Sequence, residues 1–319
     1  MKAIRVERFG GPEVLQLAEI PRPKPGAGEV LVKIHAIGVN PVDTYFRAGA
    51  NPAITLPWIP GLDAAGVVEE LGPGVTTLRP GQRVYTAGTV TGAYAEWTLC
   101  APGQVYPLSD RLSFAQGAGV NVPYATAYRA LFHRARVAAG ETVLIHGASG
   151  GVGLAATQLA RAFGLTVIGT AGTERGLDLV RREGAHHAVN HRAADYTKAI
   201  LALTGGRGVE VILEMLANVN LGKDLPLLAE QGRVVVIGSR GPVEITPRDT
   251  MSRDADIRGM SLFNVKGRDL ASIHAGLAAA IESGIVRPVI AREFPLAEAA
   301  AAHVAVMESG VGGKIVLIP

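Results

Sequence analysis

The stretch that decides the fold lies near the middle of the chain, where residues 142–163 read TVLIHGASGGVGLAATQLARAF. Its first residues, 142–146, form a short apolar run typical of a buried strand, and residues 152–163 have helical periodicity. The turn between them, residues 147–153, contains four glycines. Glycine permits positive φ and close approach to a pyrophosphate, and the N–H groups of the following helix attract phosphate. A ligand-free turn needs fewer glycines, so this context predicts nucleotide binding, although the loop is one residue longer than G-x-G-x-x-G.

The same alternation continues outward from this turn. The predicted elements are strand 165–170, helix 174–183, strand 187–190, helix 195–203, strand 209–214, helix 220–229 and strand 233–238. Apolar strands that alternate with amphipathic helices indicate an α/β fold, with a parallel sheet covered on both faces. We therefore predict a doubly wound Rossmann domain.

The first part of the chain has a different character. Residues 30–39 alternate apolar and polar side chains, and further short strands are predicted at 67–70, 83–85 and 93–99, between Gly- and Pro-rich turns. After residue 257 we expect one strand, helices near 268–283 and 296–308, and a last strand at 314–318. The predicted domains are a β-rich domain (1–115 plus 258–319) interrupted by the Rossmann domain (116–257).

Composition excludes several classes of protein. The chain has 319 residues, of which 48% are hydrophobic and 18% charged, which argues against disorder. No apolar run approaches the roughly 20 residues that span a bilayer, so we expect a soluble, cytoplasmic protein. The net charge of +3 comes without a basic stripe, which argues against nucleic acid as a main partner. The single cysteine, Cys100, cannot form an internal disulfide or a Cys-rich zinc site, and is expected to be buried.

The second Rossmann strand predicts which cofactor binds. It ends at residues 169–173, GTAGT, with no carboxylate before Glu174, whereas NAD-binding folds usually place an Asp or Glu there for the ribose 2′-hydroxyl. A small, neutral strand end leaves room for a 2′-phosphate. Arg175 could pair with that phosphate, or could simply be exposed on the helix, and His191 and Arg192 are further candidates. We therefore predict NADPH rather than NADH.

Several motifs together resemble one family. They are NPVDTY at 40–45, PYATAYRAL at 123–131, NHR at 190–192, EMLANVN at 214–220 and GSRG at 238–241, beside the glycine-rich turn. They are similar to the zinc-free quinone oxidoreductases of the medium-chain dehydrogenase/reductase superfamily, in the zeta-crystallin branch. The resemblance covers nearly the whole chain. It implies a GroES-like catalytic domain interrupted by a Rossmann domain, with NADPH in the cleft between them and a homo-oligomer, dimer or tetramer, as the assembly.

The resemblance also implies cofactor-binding residues. The pyrophosphate is expected on Ser149, Gly150, Gly151 and Val152, and the adenosine side on Gly172 and His191. Asn220 and the turn of Ile237, Gly238, Ser239 and Arg240 are expected to close over the cofactor. Thr126 and the backbone of Met260, Ser261 and Leu262 are expected to face the nicotinamide, and Tyr45 to sit over the cofactor and the substrate entrance.

The positions that hold zinc in alcohol dehydrogenases of this superfamily carry other residues here. They read Asn40, Leu62-Asp63 and Val122, so a tetrahedral nitrogen and sulfur site cannot form, and no metal is expected. A quinone needs less help than an alcohol because its carbonyls already accept electrons. We expect NADPH to reduce a small quinone, with semiquinone as the product that the family implies. Asn40 and Tyr45 are the candidate contacts to a quinone oxygen, and Asp43 is the candidate to orient Asn40 or the ribose.

Alternatives remain for these residues and for the function. Asn40-Pro41 could simply end the preceding strand, and Tyr45 could be a rim aromatic. One other function is reduction of α,β-unsaturated carbonyls, although residues 49–52 lack the Tyr that enoyl-thioester reductases of the superfamily use as proton donor. The other is an AU-rich RNA-binding or structural role. For the oligomer, an apolar strip from Ile257 to Phe263 could pair edge to edge across a two-fold axis.

Overall fold

The computed structural model describes residues 1–319 and divides into two compact units. The strands are β1 (Lys2–Arg5), β2 (Gln16–Glu19), β3 (Val30–Val39), β4 (Asp63–Leu71), β5 (Arg83–Thr86), β6 (Trp97–Cys100), β7 (Val105–Pro107), β8 (Thr142–Ile145), β9 (Thr166–Ala171), β10 (His187–Asn190), β11 (Val209–Glu214), β12 (Leu228–Val236), β13 (Asp256–Gly259), β14 (Ile290–Pro295) and β15 (Lys314–Ile318). The α-helices are α1 (Pro41–Arg47), α2 (Phe114–Gly117), α3 (Thr126–Tyr128), α4 (Gly151–Ala162), α5 (Glu174–Arg182), α6 (Tyr196–Leu203), α7 (Ala217–Asp224), α8 (Pro247–Met251), α9 (Gly267–Glu282) and α10 (Ala299–Ala305).

The first unit comprises Met1–Val122 and Arg287–Pro319. Its main sheet has the order β14-β15-β3-β4-β5-β7, and β6 also pairs with β3. Strand β3 matches the predicted 30–39 strand and is buried along most of its length. Two apolar cores lie in this unit, one around Ile37 and Tyr94 and the other around Val32 and Val84. As predicted, the unit is rich in β-structure.

The second unit, Pro123–Val286, contains six parallel strands in the order β10-β9-β8-β11-β12-β13. Parallel neighbours need crossover connections, which the helices between these strands supply. Strand order reverses between β8 and β11, and ligands of open α/β sheets bind at the carboxyl ends beside such a switch point. The predicted doubly wound sheet is confirmed.

Some boundaries differ from the sequence-based expectation. The predicted helix at 220–229 is wrong at its end, because α7 stops at Asp224 and β12 already begins at Leu228. Pro226, which has no N–H to donate, lies between them in a short 3-10 turn. The predicted domain boundary at 257/258 lies inside the second compact unit, which continues to Val286 because β13 pairs with β12 and α9 packs at Gly276 against Tyr128.

Several elements were not predicted, among them α1 and β14. Helix α1 follows β3 directly, where Asn40-Pro41 could also be read as a turn that ends the strand. Strand β14 is partly exposed at the edge of its sheet and lacks the alternation that signals a strand. None of the helices is both long and apolar enough to cross a membrane.

Candidate active site

Most of the predicted cofactor residues lie at one edge of the second unit. Because its six strands run parallel, their carboxyl ends lie along the same edge. Predicted residues follow each of these ends: Ser149–Val152 after β8, Gly172 after β9, His191 after β10, Asn220 after β11, Ile237–Arg240 after β12 and Met260–Leu262 after β13. Thr126 lies apart from this edge in sequence and is buried in α3.

The glycine-rich turn has the backbone that a phosphate site requires. Gly147 has a φ of +56°, and a Cβ at Gly153 would lie 2.4 Å from the Gly147 carbonyl oxygen. The N-cap of α4 is Gly150, which has no side chain to cap the first-turn N–H groups. These N–H groups and the positive end of the helix dipole suit an anion. The turn therefore fits a pyrophosphate group.

A cradle of basic side chains surrounds Gly172. A Cβ there would lie 2.8 Å from His191 Nε2 and 2.9 Å from Arg192 Nε. Burial, with the nearby charges of His146 and Arg192, lowers the pKa of His191. Arg175 is exposed in the first turn of α5. The structure thus brings two of the basic candidates over Gly172, with Arg175 nearby in sequence.

A buried polar cluster lies where β8, β11 and α7 meet. We call His146, Glu214 and Asp224 the triad; the Glu214 and Asp224 side chains have no exposed surface, and that of His146 is 4% exposed. His146 Nε2 is 2.8 Å from Asp224 Oδ1 and 3.6 Å from Glu214 Oε2. Glu214 Oε1 accepts hydrogen bonds from the Leu216 N–H and, at 3.2 Å, from Asn220 Nδ2. Glu214 therefore anchors the segment that carries the predicted cofactor residue Asn220.

The triad has two carboxyl groups for one imidazole, and the pKa values of Glu214 and His146 are both raised. Burial raises the pKa of Glu214 to about 7, the charge and hydrogen bond of Asp224 add to this rise, and the charge of His146 opposes it. Burial alone would lower the pKa of His146, but the hydrogen bond to Asp224 and the charges of Asp224 and Glu214 raise it. The pKa values of Glu214 and His146 are thus shifted in the same direction, and each shift favours the protonated form of its group.

The first unit contains a second buried polar cluster. Strands β15, β3 and β4 are neighbours, with Ile315 opposite Val39 and Gly38 opposite Asp63. We call Asn40, Asp63 and Lys314, which lie here, the lysine cluster; each is at most 5% exposed. Lys314 Nζ donates to Asn40 Oδ1 at 2.5 Å and to Asp63 Oδ2 at 3.0 Å. Asn40 Nδ2 also donates to Asp63 Oδ2, at 3.0 Å.

The other oxygen of Asp63 is also satisfied. Asn121 Nδ2 donates to Asp63 Oδ1 at 3.0 Å, and the backbone N–H of Val122 donates to the same oxygen at 3.2 Å. The carboxylate thus receives an ammonium, two amide side chains and one backbone N–H. Such complete satisfaction allows a carboxylate to be buried.

Helix α1 begins at this cluster and carries the other predicted catalytic residues. Asp43 Oδ2 accepts the Asn40 N–H at 2.9 Å and the Tyr94 hydroxyl at 3.2 Å. Asp43 therefore does hold the Asn40 backbone, and burial raises the pKa of Asp43 to about 7. Asn40 is 2% exposed with its amide bonded to Lys314 and Asp63, while Tyr45 is half-buried. Contact of Asn40 or Tyr45 with a quinone remains a prediction.

Two family models match this chain. The model described as alcohol dehydrogenase GroES-like domain matches residues 26–110, and the model described as zinc-binding dehydrogenase matches residues 151–275. The quinone oxidoreductase of Sus scrofa is 51% identical, with 100% of this chain and 98% of that protein covered. The chain belongs to the quinone oxidoreductase family. This confirms the family resemblance and the GroES-like and Rossmann fold.

Other relatives carry different names or have solved structures. The 2-haloacrylate reductase of a Burkholderia species is 34% identical over 98% of each chain. The solved structure of Escherichia coli quinone oxidoreductase complexed with NADPH superposes with a TM-score of 0.91, at 31% identity and over 100% of both chains. The chain is thus similar both to proteins named quinone oxidoreductase and to one named 2-haloacrylate reductase.

The residues present do not fit the zinc that one family description mentions. The four positions assigned to zinc ligands by resemblance hold an amide, an apolar side chain, a carboxylate and a valine. The carboxylate of Asp63 is paired with the Lys314 ammonium, and the Asn40 amide oxygen accepts from the same ammonium. Zinc prefers thiolate and imidazole ligands, and an ammonium at this place repels a divalent cation.

Sequence reasoning missed Lys314, Glu214 and Asp224. A signal for Lys314 was present, since it opens an otherwise apolar strand, KIVLI, directly after two glycines. A buried lysine needs a carboxylate partner, but nothing in the sequence pairs residue 314 with residue 63. Glu214 likewise ends an apolar strand, and its partner Asp224 is unremarkable within its helix.

Proposed function

We propose that the chain reduces quinones with NADPH and without a metal ion. The observation that supports this most is the 51% identity with a quinone oxidoreductase over the whole chain. Bound NADPH would supply the reducing hydride, and the protein would supply binding and orientation. The first-turn N–H groups of α4 would hold the pyrophosphate, and the segment anchored by Glu214 would bring Asn220 to the cofactor.

The preference for NADPH is assigned to the cradle at Gly172. His191 and Arg192 lie over this glycine, Arg175 is nearby in sequence, and β9 ends without a carboxylate. A 2′-phosphate would gain charge-assisted hydrogen bonds there, while a ribose 2′-hydroxyl would find no acidic partner. The remaining predicted cofactor residues, Thr126, Ile237–Arg240 and Met260–Leu262, would complete the site.

The test follows NADPH oxidation with a polycyclic ortho-quinone in the presence of a chelator, with NADH and a simple enone in parallel. We expect fast turnover with NADPH and quinone that the chelator does not change. Arg192→Ala is expected to raise the KM for NADPH about tenfold or more and to leave the KM for NADH unchanged, because it removes a charged hydrogen-bond donor. The matched control is Arg182→Ala, an exposed arginine on α5, for which we expect no change. Equal KM values for the two variants would contradict this assignment.

A second candidate acceptor is an α,β-unsaturated carbonyl compound. The 34% identity with a 2-haloacrylate reductase favours it, because that protein's name specifies a conjugated substrate. Turnover of the enone but not of the quinone would select this function and leave the cofactor assignment intact. NADPH binding without turnover of either acceptor would contradict both reductase functions.

We also propose a homo-oligomer that forms through the edge strand β13. This strand lies at the end of its sheet; Ile257 within it and Phe263 shortly after it are 40% and 52% exposed. Unpaired strand edges with apolar side chains favour pairing with another copy. Light scattering of the protein and of Ile257→Lys tests this, because the substitution is expected to reduce the assembly to a smaller species.

A further inference from the structure

The buried side chain of Lys314 lies in a space that a glycine on the neighbouring strand leaves open. It is the only lysine among the buried residues, and Gly38 lies between it and Asp63 on the intervening strand. A Cβ at Gly38 would lie 2.7 Å from Lys314 Cε and 2.1 Å from the Ala118 carbonyl oxygen. The missing side chain thus leaves the space through which the lysine reaches Asp63.

The ammonium changes what Asn40 does at the start of α1. An asparagine N-cap commonly accepts a hydrogen bond from a first-turn N–H through its side chain, but here the Asp43 N–H donates to the Asn40 backbone carbonyl oxygen at 3.0 Å. Its Oδ1 is taken by Lys314 and one Nδ2 hydrogen by Asp63, while the Nδ2 contact to the Gly38 carbonyl is long at 3.4 Å. A hydrogen bond from a cation fixes which end of the amide carries the oxygen, and it polarises the N–H as a donor.

We propose that Lys314 is a positioning residue for quinone reduction: its ammonium fixes the Asn40 amide and, with it, the first turn of α1. This turn carries Asp43 and Tyr45, so the inference rests on the proposed function and on the role predicted for these residues. The same ammonium stands among the positions that the resemblance assigns to zinc ligands. A fixed charge of the protein thus takes the place of the metal as the cation of this site.

The competing role for Lys314 is only to neutralise Asp63. Lys314→Met alone cannot separate the two roles, because it leaves a buried carboxylate without its cation and destabilises the unit. The double variant Lys314→Met/Asp63→Asn removes both charges while it retains similar side-chain volumes. Asp63→Asn alone is the matched control for Lys314→Met, since it also leaves one buried charge unpaired but retains the ammonium beside Asn40.

The experiment measures unfolding, NADPH affinity, and kcat and KM for a polycyclic ortho-quinone in the wild type and these three variants. We expect the double variant to unfold at a denaturant concentration close to that of the wild type and to bind NADPH within about twofold. We expect its kcat for the quinone to be lower by about tenfold, with a smaller change in KM. Wild-type kcat in a stable double variant would overturn the proposal, because charge neutralisation would then be the only role of Lys314.

If the double variant does not fold, two further variants, Asn40→Ala and Lys314→Arg, still test the proposal. In Asn40→Ala, the pair of Lys314 and Asp63 remains, and kcat is expected to fall by a similar factor. Lys314→Arg should recover more of kcat than Lys314→Met, since only the arginine can still donate to Asn40. Full wild-type kcat in Asn40→Ala would overturn the proposal. Failure of the proposed function is recognised separately, because the wild-type enzyme itself would then leave the quinone unreduced.

Discussion

Asp63 in the first unit and Glu214 in the second are carboxyl groups buried to the same degree, with side chains 1% and 0% exposed. Their charges are compensated in different ways. Asp63 is paired with the Lys314 side chain and also accepts hydrogen bonds from amide and N–H donors. Glu214 faces an imidazole that it shares with Asp224, and its pKa rises to about 7. Equally buried carboxyl groups are thus accommodated by an ion pair in one unit and by a raised carboxyl pKa in the other.

The largest expected effect comes from removal of one charge from each cluster. Lys314→Met should lower the free energy of unfolding of the first unit by about 3–5 kcal/mol, because it leaves Asp63 buried and unpaired. Glu214→Gln, which keeps the acceptor for Leu216 and Asn220, should cost about 1 kcal/mol or less at pH 7. Both tryptophans, Trp58 and Trp97, lie in the first unit, so denaturant unfolding followed by tryptophan fluorescence reports the first change. Similar losses in the two variants would contradict the distinction between the clusters.

The second expected effect is a dependence of stability on pH. The pKa of Glu214 rises from 4.5 to about 7 on folding, so the folded protein binds a proton that the unfolded chain has released. Its contribution is complete below pH 4.5 and is lost as the pH rises to about 7, by an amount on the order of 3 kcal/mol. His146, whose pKa is also raised, extends the loss above pH 6.5.

Circular dichroism of denaturant unfolding at several pH values checks this. The wild type should lose stability between pH 5 and pH 8, and Glu214→Gln should lose less. Burial also raises the pKa of Asp43 from 3.8 to about 7, so Asp43 contributes to the same loss of stability. Asp43→Asn is therefore the comparison variant from the first unit, and it too should lose less stability than the wild type. If Glu214→Gln followed the wild-type curve, the triad would not hold the proton assigned to it.

The same two clusters show which parts of the site could be predicted from the sequence and which could not. The glycine-rich turn at this edge was predictable from the sequence because it directly follows an apolar strand and opens a helix, whereas the other residues of the edge were predicted from the family resemblance. Neither buried cluster could be predicted from the sequence, because the residues that pair are far apart in the chain. Lys314 and Asp63 are 251 residues apart, and His146 and Asp224 are 78 apart. Periodicity identifies strands, but it does not say which strands become neighbours. Only the order β15-β3-β4 makes a lone lysine the counterion of Asp63.

The smallest expected effect compares two glycines, one beside each region. Gly38→Ala should cost about 1–3 kcal/mol, because its Cβ would meet the backbone oxygen of Ala118 and displace the Lys314 side chain. At Gly172 the Cβ would meet only the ends of the His191 and Arg192 side chains, which can move. Gly172→Ala should therefore barely change the free energy of unfolding but weaken NADPH binding, since the displaced groups are those assigned to the 2′-phosphate. Denaturant unfolding and NADPH titration of both variants separate these outcomes. If the Gly172→Ala protein bound NADPH as tightly as the wild type, His191 and Arg192 would not belong to the cofactor site. If the Gly38→Ala protein were as stable as the wild type, the close packing of Gly38 against Ala118 and Lys314 would not matter for stability.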